Sequence, residues 1–225
     1  MKLKSLCGGE LPSALLFDLD GTLLDSAPDL ATAVDRMLLD LQFAPAGIER
    51  VRKWVGDGAR QLVSEALQFA QAEISDRAVD AALEIYQMHY AVCCTERSEL
   101  FAAVVPTLQW FHTRGIPMAC VTNKGARFTE SLIAHFQLHE FLTVIVSGDT
   151  LPQRKPNPQP LLFACEQLQA EPRRALMIGD SRNDVLAARA AKMPVVCVDY
   201  GYNHGRSIAL EQPDLIIASL LDLTV

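Results

Sequence analysis

Short apolar runs recur along this chain, and the stretches between them carry apolar residues at helical spacing. The runs are residues 14–17, 116–121, 144–146, 175–178, 195–198 and 215–217. Several are apolar throughout rather than alternating, the pattern of strands covered on both faces. Between them the 3.6-residue period predicts helices near 105–114, 126–136, 158–169 and 183–191. Strand and helix in alternation imply right-handed crossovers, and so a parallel sheet with helices on both sides.

One segment breaks the alternation. Residues from about 27 to 100 hold helical patterns at 31–41, 59–70 and 79–90 and no convincing strand. The expected fold class is therefore α/β, a Rossmann-like parallel sheet with helices on both faces plus an inserted all-helical cap domain. The expected boundaries are 1–25 and 101–225 for the core and 26–100 for the cap. The insertion leaves and returns beside the carboxyl end of the first strand. Ligands bind at that end in open α/β sheets, so the insertion is placed to act as a lid.

Composition changes this picture little. Of 225 residues, 50% are hydrophobic and 21% charged, which suits a packed core and excludes a disordered chain. The net charge of −7 argues against a general nucleic-acid binder but leaves room for a small phosphorylated substrate in a locally positive pocket. No apolar run approaches the ~18–20 residues that span a bilayer. Residues 1–10 lack the apolar stretch of a signal peptide and read as a short, partly ordered tail on a cytoplasmic protein. The six cysteines form no C-x-x-C pair and read as buried free thiols rather than a disulfide or zinc framework. A monomer or homodimer is expected.

The candidate chemistry sits at strand ends. Asp18 and Asp20 close the first run, two residues apart, and Gly21 lets the chain turn. Alone, such a pair is equally a turn with two solvated carboxylates. Asp180 and Asp184 follow the fourth run, Asp184 in the first turn of the next helix, where acidic residues also serve the helix dipole. The two pairs lie on one sheet edge and can converge. Four converging carboxylates need a cation or protons to offset their repulsion, and oxygen-only ligands favour a hard ion, Mg²⁺ by default. Thr122 and Asn123 follow the second run and Lys155 the third. Singly these read as a helix cap and a surface lysine. Together they supply a hydroxyl, an amide and an ammonium suited to phosphoryl oxygens. No glycine-rich nucleotide loop is present. Of the histidines only His204, in a glycine-rich loop after the fifth run, is placed to line the pocket.

These motifs resemble those of the haloacid dehalogenase superfamily of phosphatases. Asp18-Leu19-Asp20-Gly21-Thr22 matches the first, Thr122-Asn123 the second, Lys155-Pro156 the third and Gly179-Asp180-Ser181-Arg182-Asn183-Asp184 the fourth. Within the superfamily the chain is most similar to bacterial phosphoglycolate phosphatases. That likeness rests on Ser26-Ala27-Pro28-Asp29-Leu30, Val55-Gly56-Asp57-Gly58-Ala59, the prolines at 156, 158 and 160, and Gly201-Tyr202-Asn203-His204-Gly205. Residues 100–104 stand where relatives often carry Pro-Gly, beside the hinge of the cap.

The resemblance implies Asp18 as nucleophile and Asp20 as general acid and base. It implies Mg²⁺ on Asp18, the backbone carbonyl of Asp20 and Asp180, with Asp184 as support or further ligand. Thr122, Asn123 and Lys155 would hold the phosphoryl group. Arg60, just behind the Gly56-Asp57-Gly58 loop, would suit a substrate carboxylate if it dips toward the site; otherwise it is an ordinary surface arginine. The expected reaction is hydrolysis of 2-phosphoglycolate. The alternatives are another small ester such as a sugar or amino-sugar phosphate, a sugar-phosphate mutase, a dehalogenase, and a non-enzymatic magnesium-dependent receiver or phosphate-binding module. Asp20 and the second acidic pair argue against the dehalogenase, and the inserted region together with Asp20 against the receiver.

Overall fold

The structure is a computed structural model and describes residues 2–224. A short helix α1 (Lys2–Leu6) leads into strand β1 (Ala14–Phe17). After it come β2 (Leu24–Asp25) and the helices α2 (Ala27–Asp40), α3 (Ile48–Trp54), α4 (Ala59–Phe69) and α5 (Asp76–Cys93). The chain returns through β3 (Glu99–Leu100) and then alternates: α6 (Val104–His112), β4 (Met118–Val121), α7 (Ala126–His135), β5 (Leu142–Val146), α8 (Gln159–Gln167), β6 (Ala175–Gly179), α9 (Arg182–Ala190), β7 (Val195–Val198) and β8 (Leu215–Ile217).

Six strands form one sheet in the order β5-β4-β1-β6-β7-β8, and every pair is parallel. β1 lies in the middle, with Leu15 opposite Met118 on one side and Leu176 on the other. All four of its residues are buried, which is why its sequence shows no alternation. The period of two survives in which face each residue serves. Leu15 and Phe17 pack with Leu108 and Phe111 of α6 and Leu132 of α7. Ala14 and Leu16 pack with Leu161 of α8 and Val185 and Ala188 of α9. The chain order runs outward from β1 in both directions, so a crevice opens at the carboxyl ends of β4, β1 and β6.

The inserted helices build a second apolar cluster on Val34, Met37 and Leu38 of α2, Val63 of α4, and Tyr86 and Tyr90 of α5, which Phe128 of α7 and Tyr202 join from the core. Its two ends are tied together by Asp29 in the first turn of α2. This buried carboxylate accepts hydrogen bonds from the backbone N–H groups of Arg97 (2.9 and 3.1 Å) and Ser98 (2.7 Å) and from the Ser98 hydroxyl (2.6 Å).

Three features depart from expectation. The stems of the insertion pair as an antiparallel ribbon, Leu24 opposite Leu100 and Asp25 opposite Glu99, so the segment is not purely helical. Two residues per strand are too few for any periodicity to show. α3, seven residues with only Val51 fully buried, carries too little of an apolar stripe to be read. The expected amino-terminal tail is instead a helix whose Leu3 is buried, with Cys7 buried just after it. All six cysteines are free and buried, as expected. Among the described residues no helix is long and apolar enough to cross a membrane.

Candidate active site

The ladder hydrogen bonds run one residue past β1 and β4, and this fixes the side chains that follow. Asp18 N–H donates to the Ile178 carbonyl and Thr122 N–H to that of Val146, both at 2.9 Å. Asp18, Asp180 and Asp184 then converge, each offering a carboxylate oxygen within 4.8 Å of the others. Asp18 Oδ1 accepts from Leu19 N–H (2.8 Å) and pairs with Lys155 Nζ (2.9 Å). Its Oδ2 takes no hydrogen bond among the described residues.

Lys155 is buried between two carboxylates. Its ammonium lies 2.7 Å from Asp184 Oδ1 as well, and donates to the Val121 carbonyl at 2.6 Å. Burial opposes the charge, but the pairs with Asp18 and Asp184 outweigh it and hold the ammonium above its ordinary pKa. Asp184 Oδ2 closes the capping box of α9, accepting from Ser181 N–H (3.0 Å) and the Ser181 hydroxyl (2.7 Å). Both of its oxygens are thus engaged, which favours the supporting role of the two the resemblance allows.

Asp180 is set by close packing. Its oxygens accept from the Thr22 hydroxyl (3.0 Å) and Tyr202 N–H (2.7 Å). Glycines stand against it on both sides. A Cβ on Gly21 would fall 2.5 Å from Asp180 Oδ2, and one on Gly201 2.1 Å from Asp180 Cβ. Gly21 also has φ +85°, a region that favours glycine.

Burial raises the Asp18 carboxyl to about 7, with the Lys155 charge opposing and Asp184 adding to the shift. Burial, then Asp18 and Asp184, push Asp180 well above the usual carboxylate range. Carboxylates this crowded and dry favour protons or a cation, and all the donors are oxygens. The set fits a hard divalent metal ion. The Asp20 side chain stays outside it, so a ligand role there falls to its backbone carbonyl. Its carboxylate turns to Lys124 Nζ (3.0 Å) and the Ser26 hydroxyl.

The cap closes a small cavity over this floor. Asp18, Asp20, Thr122, Asn123 and Lys124 line the core side, and Val55, Leu62, Tyr86 and Tyr90 the cap side. Asn123 spends both amide hydrogens on carbonyls, those of Gly56 in the cap and Lys155 in the core, each at 2.9 Å. Its Oδ1 is buried without a partner. The structure brings together every residue named from the sequence except Arg60 and His204. Arg60 is half-exposed and pairs with Asp76 and Asp80 of α5, and it does not line the cavity. Two acidic residues at the start of α5 take the guanidinium before it can dip inward. His204 also stays off the cavity. Its ring contacts the Lys53 carbonyl at 3.2 Å and lies 3.7 Å from Asp57, against the cap loop.

A sequence model described as haloacid dehalogenase-like hydrolase matches residues 15–198. The chain belongs to this family. Phosphoglycolate phosphatase 1 of Pseudomonas aeruginosa is 47% identical over 215 residues, covering 95% of this chain and 79% of that protein. A phosphoglycolate phosphatase of Nitrosococcus oceani is 42% identical over 213 residues, 94% and 95% of the two chains. Among solved structures, a predicted phosphoglycolate phosphatase from Haemophilus somnus superposes with TM-score 0.89 at 31% identity, over 94% of this chain and 96% of that one.

Beside the residues that the motifs single out, the structure sets three more around the candidate site. Lys124 directly follows Thr122-Asn123 and shares their loop; adjacency alone was the available signal. Tyr202 hangs from the same glycine-rich loop as His204. Its N–H holds Asp180, while its hydroxyl donates to Asp25 (2.7 Å) and accepts from Ala27 N–H (3.1 Å). One residue thereby joins the acidic cluster to the cap stem. Asn183 donates to the Gly56 carbonyl (3.2 Å) and to Asp57 (2.8 Å). It falls inside the fourth motif, but the sequence does not show these contacts, because its partners lie 126 and 127 residues away.

Proposed function

We propose that this chain is a magnesium-dependent phosphomonoester hydrolase working through an aspartyl-phosphate, and that its substrate is 2-phosphoglycolate, converted to glycolate and phosphate. The observation that carries the reaction is the asymmetry of Asp18. One oxygen is held by Lys155 and the Leu19 N–H, and the other is free in the cavity beside the acidic cluster. The substrate follows from the relatives named phosphoglycolate phosphatase that match along nearly the whole chain.

Asp18 Oδ2 attacks phosphorus, and the ester P–O bond breaks. Asp20 gives its proton to the leaving alkoxide. It then takes one from the water that hydrolyses the phosphorylated Asp18, which restores both residues. Lys155 orients Asp18 and, with Thr122, faces the phosphoryl oxygens. Asn123 acts by positioning, since its N–H groups are spent on the cap loop and on the Lys155 carbonyl. Asp18, the Asp20 carbonyl and Asp180 would hold the metal, with Asp184 in support. When bound, Mg²⁺ offsets the repulsion between Asp18 and the phosphate dianion. We assign residues 26–100 to the cap and the remainder to the core, because the inserted helices share one apolar cluster that the core joins only through Phe128 and Tyr202 among the described residues. Six free thiols suit work in the cytoplasm.

The test is phosphate release, with and without Mg²⁺, across 2-phosphoglycolate, sugar phosphates and an amino-sugar phosphate. Preference for 2-phosphoglycolate is expected, with turnover lost by more than about a thousandfold in Asp18→Asn. A higher kcat/KM on a sugar phosphate would refute the substrate. Substantial metal-dependent turnover in pure Asp18→Asn would refute the nucleophile.

A further inference from the structure

Lys124 is a cation in the cavity with no part in the phosphoryl-binding set. It is 8% exposed. Its backbone is pinned on both sides: its N–H donates to the Thr122 hydroxyl (3.2 Å), and its carbonyl accepts from Gly148 N–H (2.8 Å). The side chain crosses the cavity between core and cap. Its ammonium lies 3.0 Å from Asp20 Oδ2 and 4.9 Å from the centre of the Tyr90 ring.

An ammonium has three donors. Lys124 Nζ makes one hydrogen bond, to Asp20, among the described residues. Its other hydrogens are left to the aromatic face and the cavity. The cap side shows a matching gap. Tyr90 is 1% exposed, lines the cavity, and carries a buried hydroxyl with no partner. A buried cation with spare donors and a buried hydroxyl without a partner are both costly unless a polar group fills the space between core and cap.

The chemistry names that group. Asp20 delivers its proton to the leaving oxygen, so whatever is attached next to that oxygen lies beside Asp20, and beside Lys124. In 2-phosphoglycolate the carbon bearing the leaving oxygen carries a carboxylate. We propose that Lys124 is a specificity-determining residue whose ammonium receives the carboxylate of the substrate's leaving group, with the Tyr90 hydroxyl closing on it from the cap. This rests on the phosphoglycolate reading above, and it moves the anion-recognising role from Arg60 to Lys124. A neutral leaving group leaves the spare donors unmatched, and a cationic one is repelled, so selection works by mismatch as well as by attraction.

The experiment compares wild type, Lys124→Met, Lys124→Arg and Tyr90→Phe. Two readouts are used: kcat and KM on 2-phosphoglycolate and on ethyl phosphate, and calorimetric binding of phosphonoacetate and methylphosphonate. Circular dichroism checks the fold. Lys124→Met removes the partner of Asp20 and so should slow both esters through kcat, but kcat/KM should fall about 10- to 100-fold further on 2-phosphoglycolate than on ethyl phosphate, the excess carried by KM. It should weaken phosphonoacetate but not methylphosphonate. Lys124→Arg should recover part of the loss, and Tyr90→Phe should show a smaller loss with the same selectivity. Equal losses on both esters, carried by kcat, would overturn the proposal and make Lys124 a positioning residue for Asp20. If Lys124→Met fails to fold, unchanged selectivity in Tyr90→Phe and Lys124→Arg would also overturn it. A wild type that prefers a different carboxylated ester, and loses that preference in Lys124→Met, would uphold the subsite and refute phosphoglycolate. A wild type indifferent to a carboxylate would overturn both.

Discussion

The floor of the cavity and its roof are held by different means. On the floor every reacting or ligating group is fixed from several directions. Asp18 is held by a strand hydrogen bond, a backbone N–H and Lys155, and Asp180 by Thr22, Tyr202 and two packed glycines. The roof is an aromatic and aliphatic surface. Tyr86 stacks on Tyr90 at 5.6 Å, and Tyr90 meets the edge of Phe128 at 4.8 Å. Its polar hold on the floor is made at the cap loop, where the Gly56 carbonyl accepts from Asn123 and Asn183, Asn183 reaches Asp57 and His204 meets the Lys53 carbonyl, and at the stem, where the Tyr202 hydroxyl accepts from Ala27 N–H. Chemistry that needs sub-ångström placement sits on the sheet. Selection and water exclusion sit on an element tied to the sheet along its loop and stem, an arrangement that suits opening to admit substrate.

The strongest way to break the comparison is to loosen the floor. Lys155→Met removes the cation between Asp18 and Asp184 and leaves two buried carboxylates facing each other. Loss of one partner from a buried pair costs about 3–5 kcal/mol, and turnover should vanish with it. Thermal or urea unfolding measures the first and phosphate release the second. A variant of unchanged stability would mean that the carboxylates protonate at no cost, and that the floor is less fixed than its geometry indicates.

Asp29→Ala attacks the roof instead. It removes a buried acceptor of hydrogen bonds from Arg97 and Ser98 at the two ends of the insertion. A loss on the order of 2–3 kcal/mol is expected. It should appear first as early hydrogen exchange in the cap helices while the sheet stays protected. Simultaneous loss of protection in both would show one cooperative unit rather than two.

The two regions also differ in how far the sequence discloses them. Asp18, Thr122, Lys155 and Asp180 each follow an apolar run, so strand periodicity alone brings them to one edge. The sheet was legible for the same reason, since its inner strands β1, β4, β6 and β7 are buried throughout. The roof was not. Tyr86 and Tyr90 read as ordinary core positions on a helix, and the partners of Asn183 and Asp29 lie far off in sequence. The ribbon at the cap stems is too short to leave a period. Arg60 shows the reverse error: its place behind the loop suggested the cavity, but Asp76 and Asp80 compete for it at closer range.

The crowded floor predicts a pH-dependent response to metal. Asp18 titrates at about 7 in the folded protein against 3.8 in an ordinary carboxyl, and Asp180 is shifted the same way. A raised folded pKa contributes stability that is fully present below 3.8 and is lost as pH rises through about 7. The metal-free protein should therefore lose stability across that window. Ligation needs the ionised form, so the rise in Tm on adding Mg²⁺ should be small near pH 5 and several degrees near pH 8, roughly. An equal rise at both would place the metal away from these carboxylates. Nothing comparable is expected of the roof, whose ionisable groups on the cavity, Tyr86 and Tyr90, are held well above the ordinary tyrosine range by burial.

The smallest effect belongs to the tie between the regions. Asn183 touches no reacting atom, and its amide holds the Gly56 carbonyl and Asp57 across the seam. Asn183→Ala removes both contacts, one of them to a charged group, and leaves the Asn123 bond to Gly56 in place. The closed state should lose about 1 kcal/mol relative to the open one. A substrate bound by the closed form then shows KM raised about fivefold, since apparent affinity falls with the fraction of competent protein. The phosphoryl-transfer rate in single turnover at saturation should hardly change, because closure is then driven by substrate. A drop in that rate with KM unchanged would mean that Asn183 acts on the floor through Asp184, its neighbour on α9, and that floor and roof are less separable than their geometry suggests.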